Sequence, residues 1–280
     1  MAENRPLAPG MRRLLWAATV LVLLAGVPLF VVPERTAEWF AWTVEPPVTA
    51  AFLGAAYWAS ATVELTSARA RSWADARVAV PGVLAFTALT FVVTLVHLDR
   101  FHLAADLAPG TRAVAWAWVG IYAVVPLLLL ALWWRQATLR GTDPRRARPL
   151  PGWVAVGASG VAAVLLAYGT WLLLDPVAAA GWWPWELTPL TGRAVGAWLV
   201  GLGVSAAQAV WEGDTRRSRP VAVGALALSL LVAAALLRYP DAVDIGTPQG
   251  VGLVAAVVVW AALGAAILRA AARRPPGALP

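Results

Sequence analysis

Eight times along its 280 residues the chain runs for at least 18 positions without an Asp, a Glu or an Arg, and it contains no Lys. The runs are Leu14–Val32, Pro46–Val63, Val78–Leu98, Ala113–Trp134, Pro149–Leu174, Ala194–Trp211, Pro220–Leu237 and Ile245–Leu268. At about 1.5 Å rise per residue the shortest reaches about 27 Å as a helix, close to the hydrocarbon thickness of a bilayer. In lipid the backbone must satisfy its own hydrogen bonds, which leaves helices or closed barrels. Barrel strands would be about ten residues long and alternate in polarity, and these uniformly apolar runs do neither. The expected fold is an all-α polytopic membrane helix bundle with eight transmembrane helices. The charged fraction agrees: it is 13%, against about 25% in soluble domains.

The first run follows Arg12 and Arg13, as the apolar part of a signal peptide would. It is too long for one, and Val32-Pro33-Glu34-Arg35 offers no small residue for cleavage, so an uncleaved first helix is expected. Arginine sets the orientation. The N-terminus, the second, fourth and sixth loops and the C-terminus together hold 17 of the 22, and the alternate loops hold five. Both termini are therefore expected in the cytoplasm, with the chain in the plasma membrane. Nine carboxylates on the outer side against those five arginines leave that face at −4. The basic excess belongs to the inner surface and suits anionic lipid headgroups, so the expected partner is the bilayer and no nucleic acid is expected.

The chain also repeats itself at an offset of 142 to 143 residues. Pro33, Trp39, Trp42, Pro47, Thr49, Gly54 and Ala55 match Pro176, Trp182, Trp185, Pro189, Thr191, Gly196 and Ala197, and the register continues to Asp99 with Asp241 and Trp118 with Trp260. Four spans per half is an even number, so both halves enter the membrane the same way. Two parallel four-helix repeats are expected, residues 1–140 and 141–280, related by an axis along the membrane normal. The segment Arg135–Gly152, with its prolines, reads as an exposed cytoplasmic linker. The tail from Arg273, with Pro275, Pro276 and Pro280, is expected to be disordered.

Chemistry is sparser. Cysteine is absent, which removes disulfides, thiolate metal sites and cysteine nucleophiles. Gly157-Ala158-Ser159-Gly160 resembles the G-x-S-G nucleophile motif of rhomboid intramembrane proteases. That chemistry needs a later histidine as base, and no histidine follows His102, so these residues read as helix packing. His97, Asp99, His102 and Asp106 are metal-ligand types in a spacing of no known site, and the second half offers Tyr239, Asp241 and Asp244 instead. No metal and no cofactor is expected. Phosphate loops and dinucleotide fingerprints are absent as well.

Thr87, Thr90, Thr94 and His97 share one helical face, where the hydroxyls are expected to bond back to their own helix. None of the eight runs holds an acid or an arginine near its middle, which argues against a pump built on buried carboxylates. The leading reading is a permease-like or ligand-binding membrane protein with its site on the outer side of the repeat interface. Symmetry selects Trp39, Trp42, His97 and Asp99 from one half and Trp182, Trp185 and Asp241 from the other, indole and carboxylate together favouring a cationic ligand. A non-enzymatic accessory protein is the alternative, and a membrane enzyme the third reading.

Overall fold

The computed structural model describes residues 4–146 and 148–272, which form helices, loops and a few isolated bridges. Eight helices are long: α1 Pro9–Gly26, α2 Pro47–Ala68, α3 Val80–Val96, α4 Pro109–Ala137, α5 Gly152–Leu174, α6 Pro189–Glu212, α7 Arg219–Arg238 and α8 Pro248–Ala272. Proline stands at the first or second position of most of them, where the missing N–H had no intrahelical partner to lose. Thr188 caps α6 by accepting from the Thr191 amide at 3.2 Å. Gly213 closes α6 in the left-handed conformation at φ 59°, a geometry that penalises any Cβ.

Seven of these helices, all but α2, are long and apolar enough to cross a membrane. The chain is an integral membrane protein of helical-bundle class. Helix α2 has 22 residues, which is about 33 Å of helix, but 15 of them are buried within the protein. A helix enclosed by other helices meets no lipid, so it can carry small and polar residues that a peripheral one cannot. The peripheral α1, α5 and α8 are the reverse, with only 22% of each apolar window covered.

The packing scheme is simple. α1 lies on α2 and α5 on α6; α3 lies on α4 and α7 on α8; across the halves α3 packs on α6 and α7 on α2. Glycine permits the tightest of these crossings. A Cβ on Gly82 of α3 would stand 2.7 Å from the Gly201 carbonyl of α6 and collide with Ser205, and one on Gly224 of α7 would collide with Val63 of α2.

The loops gather at two ends. At the tryptophan end, Trp42 bridges to Phe101, the His102 amide donates to the Ala41 carbonyl, and Thr111 donates to the Glu38 carbonyl. The N-terminal segment, the α2–α3 loop, the α4–α5 linker and the α6–α7 loop meet at the opposite, arginine end, through bridges of Asn4 with Thr142, Pro6 with Ser72 and Pro149 with Asp214. The linker is mostly exposed yet tied down: Asp143 pairs with Arg77, and the Arg148 amide donates to Asp214 at 3.0 Å. The tail from Arg273 lies outside the described residues.

After α1 the backbone widens into a π-turn, Val27–Val31. Pro28 lacks the N–H that the Leu24 carbonyl would accept; the Val27 amide donates to Leu24 instead, and the Leu23 carbonyl accepts from the Trp58 indole at 3.1 Å. Gly26 leaves the room that this indole occupies.

Candidate functional site

Inside the bundle, where α1, α2, α3, α4, α6 and α7 approach one another, lies a cavity of about 140 Å³. Its aromatic wall is built from four helices. Tyr57 and Tyr122 share a hydrogen bond of 2.6 Å, Trp118 lies 4.4 Å from Tyr122, and Trp198 stacks on Phe86 at 3.9 Å while meeting Tyr57 edge-on at 5.0 Å. Each half of the chain contributes, because α6 and α7 come from the second.

Glu64 also lines this space. Its residue exposure is 2%, and its Oε2 is fully buried without a hydrogen-bond partner. The lining serine and threonine hydroxyls donate to backbone carbonyls: Ser60 to Tyr57 at 3.0 Å, Thr87 to Val83 at 2.8 Å and Ser205 to Gly201 at 3.0 Å, while the Tyr57 and Tyr122 hydroxyls share one bond and so keep one proton between them for a further acceptor. Trp118 and Tyr122 of α4 are buried, but the lining is half-buried along one edge, at Leu14, Ala18 and Leu21 of α1 and at Ile121 and Val125 of α4. The cavity therefore opens sideways between these two helices.

Sequence reading missed Glu64 because a charge ended the second apolar run there. In the structure the helix continues to Ala68, so Glu64 sits inside α2, four residues before its C-terminal end, and not beyond it. The signal was the isolation of this charge, with Val63 before it, Leu65 after it and no further charge until Arg69.

Two other hollows accompany it. A groove of about 720 Å³ runs between α5 and α8, almost wholly apolar, with Gly157, Val161 and Val164 facing Gly252, Ala256 and Val259. At the tryptophan end a cleft of about 540 Å³ separates the loop of Pro33 to Pro47 from Glu186, Leu187 and Thr188. Three carboxylates line it, Glu34, Glu45 and Glu186.

The residues selected by symmetry occupy distinct surroundings. Trp42 is buried 4.7 Å from Phe40, 5.2 Å from Phe101 and 4.9 Å from Trp118, and its indole N–H has no partner. Trp185 is buried against Trp183 and donates across the halves to Thr49 Oγ1 at 2.8 Å. Trp39 and Trp182 are exposed. Asp99 is exposed and pairs with its neighbour Arg100 at 3.1 Å, and Asp241 is exposed in the turn Pro240–Ala242.

His97 is joined instead to the second half. Arg193 of α6 approaches its Nε2 at 2.8 Å and donates from Nε to the Leu173 carbonyl at 3.0 Å. Burial first, and the Arg193 charge second, hold this imidazole below its ordinary value of 6.5. At the other seam Arg238 donates to the Phe30 and Val31 carbonyls at 2.9 and 3.1 Å and to Glu34 at 3.2 Å. The Tyr239 hydroxyl, then Arg238, keep Glu34 below the usual carboxylate range.

His102 contacts the Phe40 carbonyl at 2.9 Å and the Thr43 hydroxyl at 3.1 Å. Among the described residues no three His, Asp or Glu side chains converge as a metal site would require. On the threonine face of α3 two hydroxyls bond back to their own helix, Thr87 to the Val83 carbonyl and Thr94 to the Thr90 carbonyl, each at 2.8 Å, with Thr94 also accepting from the Trp118 indole at 3.1 Å, whereas the buried Thr90 hydroxyl has no partner. Comparison with protein-family models, with curated proteins and with solved structures yields no match for this chain.

Proposed function

We propose that this chain is a permease-like or ligand-binding protein of the plasma membrane, built as two parallel four-helix repeats, with its ligand position in the cavity between them. Eight spans are proposed, α2 included, because its length suffices and its loops lie at opposite ends of the bundle like those of its neighbours. The arginine end is proposed to be cytoplasmic, where its positive charge would meet anionic lipid headgroups.

The packing scheme supports the repeat. Exchanging α1 to α4 with α5 to α8 turns α1–α2 into α5–α6, α3–α4 into α7–α8, and α2–α7 into α6–α3, which are the pairs in contact. Gly82 and Gly224, at the two crossings between halves, are 142 positions apart.

The observation that carries the functional reading is the hollow interior with its unsatisfied Glu64. A scaffold gains by filling its interface, whereas a buried polar atom without a partner costs about 1–3 kcal/mol. An apolar cavity of about this size can bind a benzene-sized molecule. Toluene should therefore bind saturably to the full chain in lipid nanodiscs, above its partition into empty discs, as read by equilibrium dialysis. Val125→Trp, which plugs the opening between α1 and α4, should abolish the saturable part. Binding no greater than in empty discs would favour the accessory-protein reading.

A second position, on the outer side of the interface and drawing on Trp39, Trp42, His97, Asp99, Trp182, Trp185 and Asp241, is proposed at the same end of the bundle as the carboxylate-lined cleft, whose own walls are other residues, Glu34, Glu45 and Glu186 among them. Asp99→Asn and Asp241→Asn test it by their effect on cation binding from the outer face.

A further inference from the structure

Resting on the reading of the central cavity as a ligand position, we infer that its ligand is an apolar amine, held by its ammonium on Glu64 and by its hydrocarbon or aryl body on the ring wall. The demand comes from the carboxyl. Glu64 Oε2 has no donor, and the serine and threonine hydroxyls of the lining donate to backbone carbonyls instead. A ligand that brings its own donor, and a positive charge with it, meets this demand most fully, because charge-assisted bonds are about twice as strong as neutral ones.

The walls exclude other classes. A divalent metal needs several oxygen or nitrogen ligands, and no second acid or histidine stands with Glu64. A sugar would leave most of its hydroxyls unpaired against a lining that is almost entirely apolar. An anion would face Glu64 itself. An ammonium, by contrast, gains from the aromatic faces of Trp118, Trp198 and Tyr57 as well as from the carboxyl.

Size and direction agree. Glu64 and Tyr57 are seven residues apart on α2, hence on one face and about 10 Å apart along the axis. Helical side chains lean toward the N-terminus, which turns the Glu64 carboxyl toward the rings. A ring carrying a one- or two-carbon amine fits this interval and a cavity of about 140 Å³, and any longer tail would leave between α1 and α4 into lipid.

The test compares benzylamine, toluene and phenylacetate on the full chain in nanodiscs of zwitterionic lipid, with binding again taken as the excess over empty discs. Benzylamine should bind at least tenfold more tightly than toluene, and phenylacetate should not bind. Glu64→Gln should remove that tenfold advantage and leave toluene unchanged. If this variant does not fold, the three probes on the wild-type chain still decide, since they differ chiefly in charge. Toluene binding with no preference for benzylamine overturns the amine and leaves the cavity reading standing. Failure of every probe overturns both. Loss of benzylamine binding in Asp99→Asn or Asp241→Asn, but not in Glu64→Gln, overturns the assignment by moving the amine to the tryptophan end.

Discussion

Glu212→Gln should loosen the joint between the two halves at the arginine end. This carboxylate is completely buried at the last residue of α6. Arg77, from the first half, grips it through Nε at 2.5 Å and Nη2 at 2.8 Å, and Arg217 adds a third contact at 2.9 Å. Neutralising Glu212 leaves the guanidinium of Arg217, only 6% exposed, without its counter-ion. Breaking one partner out of a buried pair costs about 3–5 kcal/mol. Here the lower end applies, because the Arg77 side chain is 21% exposed and keeps Asp143 beside it, so about 3 kcal/mol is expected. Unfolding by SDS in mixed micelles, followed by tryptophan fluorescence, measures it. A cycle with Arg77→Met should return a coupling of about 2 kcal/mol between the two positions. A loss below about 1 kcal/mol for Glu212→Gln, or additive effects in the cycle, would mean that water screens this cluster as it does a surface pair.

Three further outcomes are expected. Gly82→Ala should cost about 1–3 kcal/mol by the same assay, because its methyl would press on the Gly201 carbonyl and on Ser205, whereas Gly120→Ala, with open space around it, should be neutral or slightly stabilising; equal effects would refute the crossing argument. Since His97 titrates below 6.5 in the fold, the unfolded chain binds a proton that the folded one does not in the interval between the two values. Stability from this group is therefore present above 6.5 and declines as pH falls toward the lowered value, and His97→Gln should flatten that part of a thermal-midpoint profile. Single cysteines placed at Glu38, Asp106 and Gly181 should react with an impermeant thiol reagent added to intact cells, and those at Arg71 and Arg140 should not; labelling of the second pair would reverse the orientation.

Much of the architecture was legible because it depends on quantities that add along the chain. Seven of the eight apolar runs correspond to helices long and apolar enough to cross a membrane, since transfer of a helix into lipid sums over its residues. Pro47 and Pro189 stand at the first positions of α2 and α6, where the effect of proline is local. Thr49 shows where such reasoning stops: its place near the start of α2 was readable, but its hydroxyl accepts from Trp185, 136 residues away.

The candidate site had the opposite character. Trp39 and Trp42 lie three positions apart, yet one is exposed and the other is enclosed by Phe40, Phe101 and Trp118. Glu64 looked like the end of an apolar run, and what makes it a buried carboxyl is the packing of α1 and α7 on α2, with the other helices that line the cavity. Helix α2 failed the same additive measure that found its neighbours, because lipid selects for hydropathy and a helix enclosed by protein is released from that selection. By itself the sequence determined that this is a helical membrane protein, and where most of its apolar helices lie along the chain, because those follow from local chain composition. Tertiary structure decided which indoles are buried, which arginine meets His97 and where the cavity opens, because each of these depends on groups brought from distant helices whose positions no local window contains.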